Sequence, residues 1–545
     1  MKTNQPRRRR IAALGAVLVV GITAFAVKLA AGAAAAPDPA APSGPLVRTA
    51  DGYVRGVTGA DVTTFFGLPY AAPPTGQLRW RPPQPVAPWN GVRDGSEFGP
   101  SCQQSPIGNP SFPPGPMSED CLYLNVYAPS GDGSPRALRP VLVWIHGGGL
   151  TQDAGRNYDG TKFAAAGTVV VTINYRLGAL GFLADSALAS RTGGPTGNYG
   201  LMDQQAALRW VQHNIGEFGG DPTNITIAGQ SAGGLSVLAQ LVSHGSRGLF
   251  QRAVVESGTF ALEQKSLAAA EADGTRVANA VHCTTDVANC LRQAPAANLN
   301  DALGVEIPGV VDGAFLTETI GSALREGDFA RVPVINGITH DEERLFVDGL
   351  GLTVSQGTDV AIAEPLSPTT YQGDISTALG VTSDRAAAIA AEYPLDNYSA
   401  PDVAFSALVS DASFACPALQ VDAWISRDVR TWAYEFDDDT APVDVAPPGH
   451  FPAVATHGSE LNYLFDQPNA PFPATLNGDQ QALAQTMRAA WSHFAATGRP
   501  SSRALRWPSF RHDSAQLSFI LPQPSVGTNA ATSHHCEFWN SQEGA

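Results

Sequence analysis

The sequence predicts an α/β fold built on a large, mostly parallel central sheet flanked by helices, and three observations carry that reading. Val141–Ile145 and Thr168–Ile173 are continuous apolar runs, as in strands buried on both faces. Helix-period stretches such as Met202–Asn214 and Asp479–Ala496 alternate with further strand-like runs. Between Ile225–Ala228 and Leu235–Leu241 a tight Gly/Ser turn joins a predicted strand directly to a predicted helix.

From the N-terminus, Arg7 to Arg10 form a basic cluster, Ile11 to Val27 are apolar, and Leu29 to Ala36 is rich in Ala and Gly. Residues 1–36 therefore read as an export signal peptide, with an uncleaved membrane anchor as the alternative. A disordered lead-in, 37–44, is expected to follow, and residues 45–545 read as one large folded domain. Within that domain Ile225–Ala228, Arg252–Val255, Val332–Asn336 and Thr431–Phe436 are the further strands expected after Val141–Ile145 and Thr168–Ile173. Gly/Pro-rich connections at 71–118 and 347–370 are expected on the surface, shaping a cleft.

The 545 residues are 43% hydrophobic, enough for a large core, and beyond the N-terminus no window reads as a bilayer span. Removing residues 1–28, with six basic and no acidic side chains, takes the formal charge from −16 to −22. Such a surface disfavours nucleic acid and anionic membranes. Six cysteines downstream of an export signal point to disulfides rather than a metal, because no C-x-x-C or H-x-x-x-H spacing occurs. The count alone leaves about fifteen connectivities open.

Gly229-Gln230-Ser231-Ala232-Gly233 is a G-x-S-x-G turn between strand and helix, the setting in which a serine is presented as a nucleophile. A serine hydroxyl needs a base within hydrogen-bond reach, and that base needs a carboxylate to hold it. His457, in Thr456-His-Gly-Ser-Glu460, and His450, in a Pro/Gly-rich loop, are the two candidate bases by position. Asp341, Glu342 and Glu343 stand in a row after the strand Val332–Asn336 as candidate acids. His146-Gly147-Gly148-Gly149 follows the strand Val141–Ile145, where three glycines let backbone amides converge as an oxyanion hole.

These stretches resemble the type-B carboxylesterases, the α/β-hydrolase family that includes cholinesterases, bacterial para-nitrobenzyl esterases and fungal lipases. The resemblance runs over about 45–540 and is carried chiefly by Phe218–Gly233 and Ser118–Tyr127, with Phe66–Pro74, Asn174–Gly178, Val311–Gly313 and Cys536–Trp539 in support. It implies a triad of Ser231, Glu342 and His457, and oxyanion amides at Gly148, Gly149 and Ala232. It also implies disulfides Cys102–Cys121, Cys283–Cys290 and Cys416–Cys536, and a supporting role for Ser257 beside the His–acid pair. No cofactor or metal is implied. Gln230 departs from the family, most members having Glu before the nucleophile, and the loop 103–120 lacks Trp, so choline esters are disfavoured. Leu150 leaves the acyl side aliphatic.

The expected function is an exported serine carboxylesterase that takes small-molecule esters through an acyl-enzyme. After signal cleavage, no stable membrane association is expected. A lipase acting on acylglycerols is one alternative. A catalytically silent adhesion protein is the other, but it would lack a nucleophile, base or oxyanion glycine, and this sequence lacks none of them.

Overall fold

Eleven strands build the principal sheet, and its centre is where the sequence pattern is most apolar. In chain order they are β1 (Val57–Thr58), β2 (Val62–Pro69), β3 (Tyr123–Pro129), β4 (Arg139–Ile145), β5 (Val169–Ile173), β6 (Gly220–Gln230), β7 (Arg252–Glu256), β8 (Val334–Thr339), β9 (Thr431–Phe436), β10 (Gln516–Phe519) and β11 (Ser525–Gly527). They lie side by side as β11-β10-β9-β8-β7-β6-β4-β5-β3-β2-β1. The computed structural model describes residues 44–542 apart from 105–112, 131–136, 193–195, 304–308, 356–357, 363–364, 445–448, 512–514 and 528. The predicted signal segment 1–36 lies outside the described residues, as does the lead-in up to residue 43.

From β5 across to β10 every pairing is parallel. Six of the ten pairings are thus parallel, as expected of a mostly parallel sheet, and at the margins β5–β3, β3–β2, β2–β1 and β10–β11 are antiparallel. Of these outer strands β1 and β11 are only two and three residues long and β2 is interrupted by Gly67, which leaves little pattern to read in the sequence.

The continuous apolar runs follow from burial on both faces. Val141, Val143 and Ile145 of β4 enter one core and Leu142 and Trp144 the other; on β5, Val169, Val171 and Ile173 divide in the same way from Val170. Helices α1 (Tyr199–Asn214), α2 (Ala232–Val242), α3 (Cys416–Ile425) and α4 (Gly478–Thr497) are among those that cover the sheet. Every residue of α2 is buried. The helical run Pro401–Ile425 has the length and hydropathy of a bilayer span, correcting the expectation that only the N-terminus does. Its most apolar window is 72% buried within the fold, as befits a core helix.

Register places the site. Gly229 of β6 lies opposite Ile145 of β4 and Val255 of β7, while Glu256 of β7 lies opposite Gly337 of β8. The residues that leave these strands, His146, Ser231 and Ser257, therefore emerge along one carboxyl edge, where ligands of α/β sheets bind. Disulfides join Cys102 to Cys121, Cys283 to Cys290 and Cys416 to Cys536.

Candidate active site

Ser231 stands between β6 and α2 at φ 58° and ψ −127°, a backbone conformation rarely adopted by a residue with a Cβ. Two bonds hold it there: its amide donates to the Glu256 carbonyl at 2.8 Å, and its carbonyl accepts from Leu235 N at 2.9 Å. The flanking glycines are required by close approach. A Cβ on Gly233 would lie 2.1 Å from the Ile145 carbonyl oxygen, and one on Gly147 would lie 3.2 Å from Ser231 Cβ. The elbow and the glycine run after β4 are thus packed against each other.

His457 and Glu342 meet on two loops that zip together. Asp341 N donates to Ala455 O at 3.0 Å and His457 N to Glu342 O at 3.2 Å, and Asp341 bridges Thr456 in parallel. That pairing turns Glu342, rather than its neighbours, towards the imidazole. Glu342 Oε2 is 2.5 Å from His457 Nδ1, and Oε1 accepts from Thr339 N at 2.9 Å. Both side chains are buried. Phe346 and Phe414 flank the imidazole, with ring centroids 5.1 and 5.3 Å away. Asp341 instead faces His340 and Arg344, and Glu343 accepts from Thr353 Oγ1. His450, the other candidate base, pairs with Asp348 and leaves 73% of its side chain exposed.

With Nδ1 given to Glu342, His457 Nε2 is an acceptor, and Gln230 Nε2 donates to it at 3.1 Å. The imidazole therefore reaches the residue immediately before Ser231. No hydrogen bond joins Ser231 Oγ to His457 among the described residues. Gly148 and Gly149 have φ of 82° and 63°, and neither donates its amide to another described residue. Ala232 is the first residue of α2, where an amide has no carbonyl in its own helix. His146 itself is buried and stacks on Tyr175 at 4.4 Å; burial lowers its pKa, so it stays neutral.

Ser257 is fully buried at φ 49°, its amide bound to Gly337 O at 2.8 Å. Its hydroxyl has no hydrogen-bond partner among the described residues, so no bond links it to Glu342 or His457. Leu150 is buried at φ 59°, directly beyond the glycines.

The carboxylesterase family profile matches residues 43–539. The chain belongs to the carboxylesterase family. It is a carboxylic ester hydrolase of the α/β-hydrolase fold. Over 533 residues this carboxylesterase is 36% identical to cocaine esterase of Oryctolagus cuniculus, covering 91% of this chain and 95% of that protein. It is 35% identical over 530 residues to fumonisin B1 esterase of Sphingopyxis macrogoltabida, with 92% and 91% covered. It is 34% identical over 494 residues to para-nitrobenzyl esterase of Bacillus subtilis strain 168, with 87% and 94% covered.

Two features of this carboxylesterase escaped the reading of its sequence. Beneath the elbow, Glu256 and Glu460 are buried carboxyls. Glu256 Oε1 accepts from Trp491 Nε1 at 2.7 Å, but burial still pushes the group up to about 8. Burial, then the charges of Glu256 and Glu342, push Glu460 well above the carboxylate range. Burial thus disfavours the charged form of both acids. The second feature joins His340, Glu435 and His534 with Asp341 and Asp411. Burial there opposes positive charge, but hydrogen bonds and charges from the carboxylates outweigh it, raising His340 to about 9 and His534 to about 10. Residues nearly 200 apart in the chain carry no shared local pattern, so only the H-G-x-E motif around Glu460 offered a signal.

Proposed function

We propose that this chain is an exported serine carboxylesterase, with residues 1–36 as its targeting segment and 45–545 as one catalytic domain. The observation that carries the reading is the buried Glu342–His457 contact of 2.5 Å, set beside a serine held at φ 58° on a strand–helix elbow. Ser231 Oγ attacks the ester carbonyl while His457 Nε2 takes its proton. For that step the hydroxyl replaces the Gln230 amide at Nε2, a tightening of the kind that accompanies substrate binding. Glu342 fixes the tautomer and stabilises the imidazolium. The amides of Gly148, Gly149 and Ala232 receive the oxyanion of the tetrahedral intermediate. His457 returns the proton to the departing alcohol; water then attacks the acyl-enzyme by the same steps, releasing the acid and restoring Ser231.

Gln230 beside the imidazole carries no negative charge, which supports uncharged aliphatic and aryl esters over cationic ones. The names of the relatives, an esterase of cocaine and one of fumonisin B1 among them, support tolerance of bulky esters. Three disulfides support passage through an oxidising compartment. Ser231→Ala is expected to lower kcat for p-nitrophenyl butyrate by about a thousandfold or more and to abolish labelling by a fluorophosphonate. Retained turnover or retained labelling would refute the assignment.

A further inference from the structure

Three segments remote in the chain converge where β8 and β9 meet the C-terminal tail. His340 directly follows β8, Glu435 lies in β9, and His534 precedes the helix Cys536–Gln542, which we label α5. Their ligating atoms all lie within 4.8 Å of one another. His340 Nδ1 is held by Asp341 Oδ2 at 3.2 Å and His534 Nδ1 by Asp411 Oδ1 at 2.5 Å. The remaining nitrogens both face a single oxygen: Glu435 Oε1 is 2.9 Å from His534 Nε2 and 3.8 Å from His340 Nε2. Glu435 Oε2 is anchored by Gln516 Nε2 at 2.7 Å, and Tyr393 Oη donates to the other oxygen of Asp411 at 2.7 Å.

An ion-pair network alone asks only that imidazolium and carboxylate touch. This arrangement is more particular, because each ring has its near nitrogen fixed by a separate carboxylate while its far nitrogen points at a shared focus. Carboxylates that orient ligating imidazoles in this way are the usual outer shell of protein metal sites. Ligands about 2.0–2.1 Å from a tetrahedral zinc stand roughly 3.3 Å from one another, between the two separations seen here. Small rotations of His340 and His534 would therefore admit a cation. The route in is also present, since 41% of the His340 side chain is exposed while Glu435 and His534 are 10% and 3% exposed.

We propose that His340 Nε2, His534 Nε2 and Glu435 Oε1 form a binding site for a divalent transition cation of the zinc class, with solvent as the fourth ligand. Two imidazoles and one carboxylate favour such an ion over calcium or magnesium, which take oxygen ligands. The cation displaces the protons that the imidazoles otherwise hold. It ties the C-terminal tail to β8 and β9, two residues from Glu342, so its effect is on the cohesion of that corner. The site is separate from Ser231 and does not depend on the esterase mechanism.

The test uses the full-length enzyme stripped with a chelator and titrated with Zn(II) by calorimetry and with Co(II) by visible absorption. One saturable equivalent in the micromolar range, with an intense four-coordinate Co(II) band, is expected. Saturating Zn(II) should raise Tm by roughly 2–3 °C. His340→Gln, at a half-exposed position that leaves the core intact, should weaken that uptake roughly tenfold or more and remove the Tm shift. His534→Gln should do the same if it folds. Absence of saturable uptake by the parent enzyme overturns the proposal. Equal uptake by the parent and His340→Gln, as binding to other surface histidines would give, overturns it too.

Discussion

Two buried carboxyl groups on neighbouring parts of the same sheet meet opposite fates. Glu256, on β7 beneath the elbow, has one indole donor and no cation among the described residues, and burial pushes it up to about 8. Burial acts on Glu435 of β9 in the same direction, yet hydrogen bonds and charge from His534 and His340 bring it below the ordinary carboxylate value. Depth in the fold is similar; company is not. Partners decide which buried carboxyl favours its charged form here, and by the same rule burial without a cation disfavours the anion at Glu256 and Glu460 under the elbow.

The largest expected effect tests the pair to which the proposed mechanism assigns a charge. Glu342→Gln keeps the shape of the contact with His457 but removes the anion that stabilises the imidazolium. A fall in kcat of about 10³–10⁴ at unchanged Tm is expected in a p-nitrophenyl ester assay. A fall below tenfold would show that one of the neighbouring acids serves instead.

Stability should then separate the paired acid from the unpaired one. On chelator-treated protein, Glu435→Gln leaves His534 with Asp411 alone and should cost about 3 kcal/mol in a urea titration. Glu256→Gln replaces a protonated carboxyl by an amide of the same shape and should stay within about 1 kcal/mol near pH 6. Equal losses would break the contrast.

A pH series sharpens it further. The Glu256 pKa is higher folded than unfolded, so its contribution to stability is complete below about pH 4.5 and is lost as pH rises through about 8. Tyr434 and Glu460 are shifted groups coupled to this region. The parent enzyme should lose more Tm between pH 5 and 8 than Glu256→Gln does, and parallel curves would contradict the assignment. The smallest effect belongs to Gln230→Glu. A negative charge at that position favours the imidazolium of His457, so the acid limb of kcat/KM should move to higher pH. An unmoved limb would mean that Gln230 leaves the imidazole during turnover.

How much of this was legible depends on how local each signal is. The elbow is written in a single stretch, because the β-branched run, the crowded glycines and the following helix are neighbours in sequence. The central strands are equally plain, since burial on both faces makes them uniformly apolar. The residues alone left three consecutive acids open; the family resemblance singled out Glu342, and in the structure the pairing of Asp341 with Thr456 turns it to His457. By position His457 and His450 were equal candidates; the resemblance favoured His457, and the structure sets it against Glu342 and Gln230 while His450 turns out to Asp348. The antiparallel margins were lost because their strands are short or interrupted, and the His340–Glu435–His534 cluster because its members come from three unrelated segments.

The left-handed geometry of Ser231 also bears on how its removal is to be read. Alanine has the same Cβ as serine and meets the same steric objection there, whereas glycine would be released from it. Swapping the hydroxyl for a hydrogen at this turn thus removes the proposed nucleophile while leaving the conformational tension in place. A glycine knock-out would change two quantities at once, so the alanine protein is the cleaner inert reference against which bound esters can be weighed.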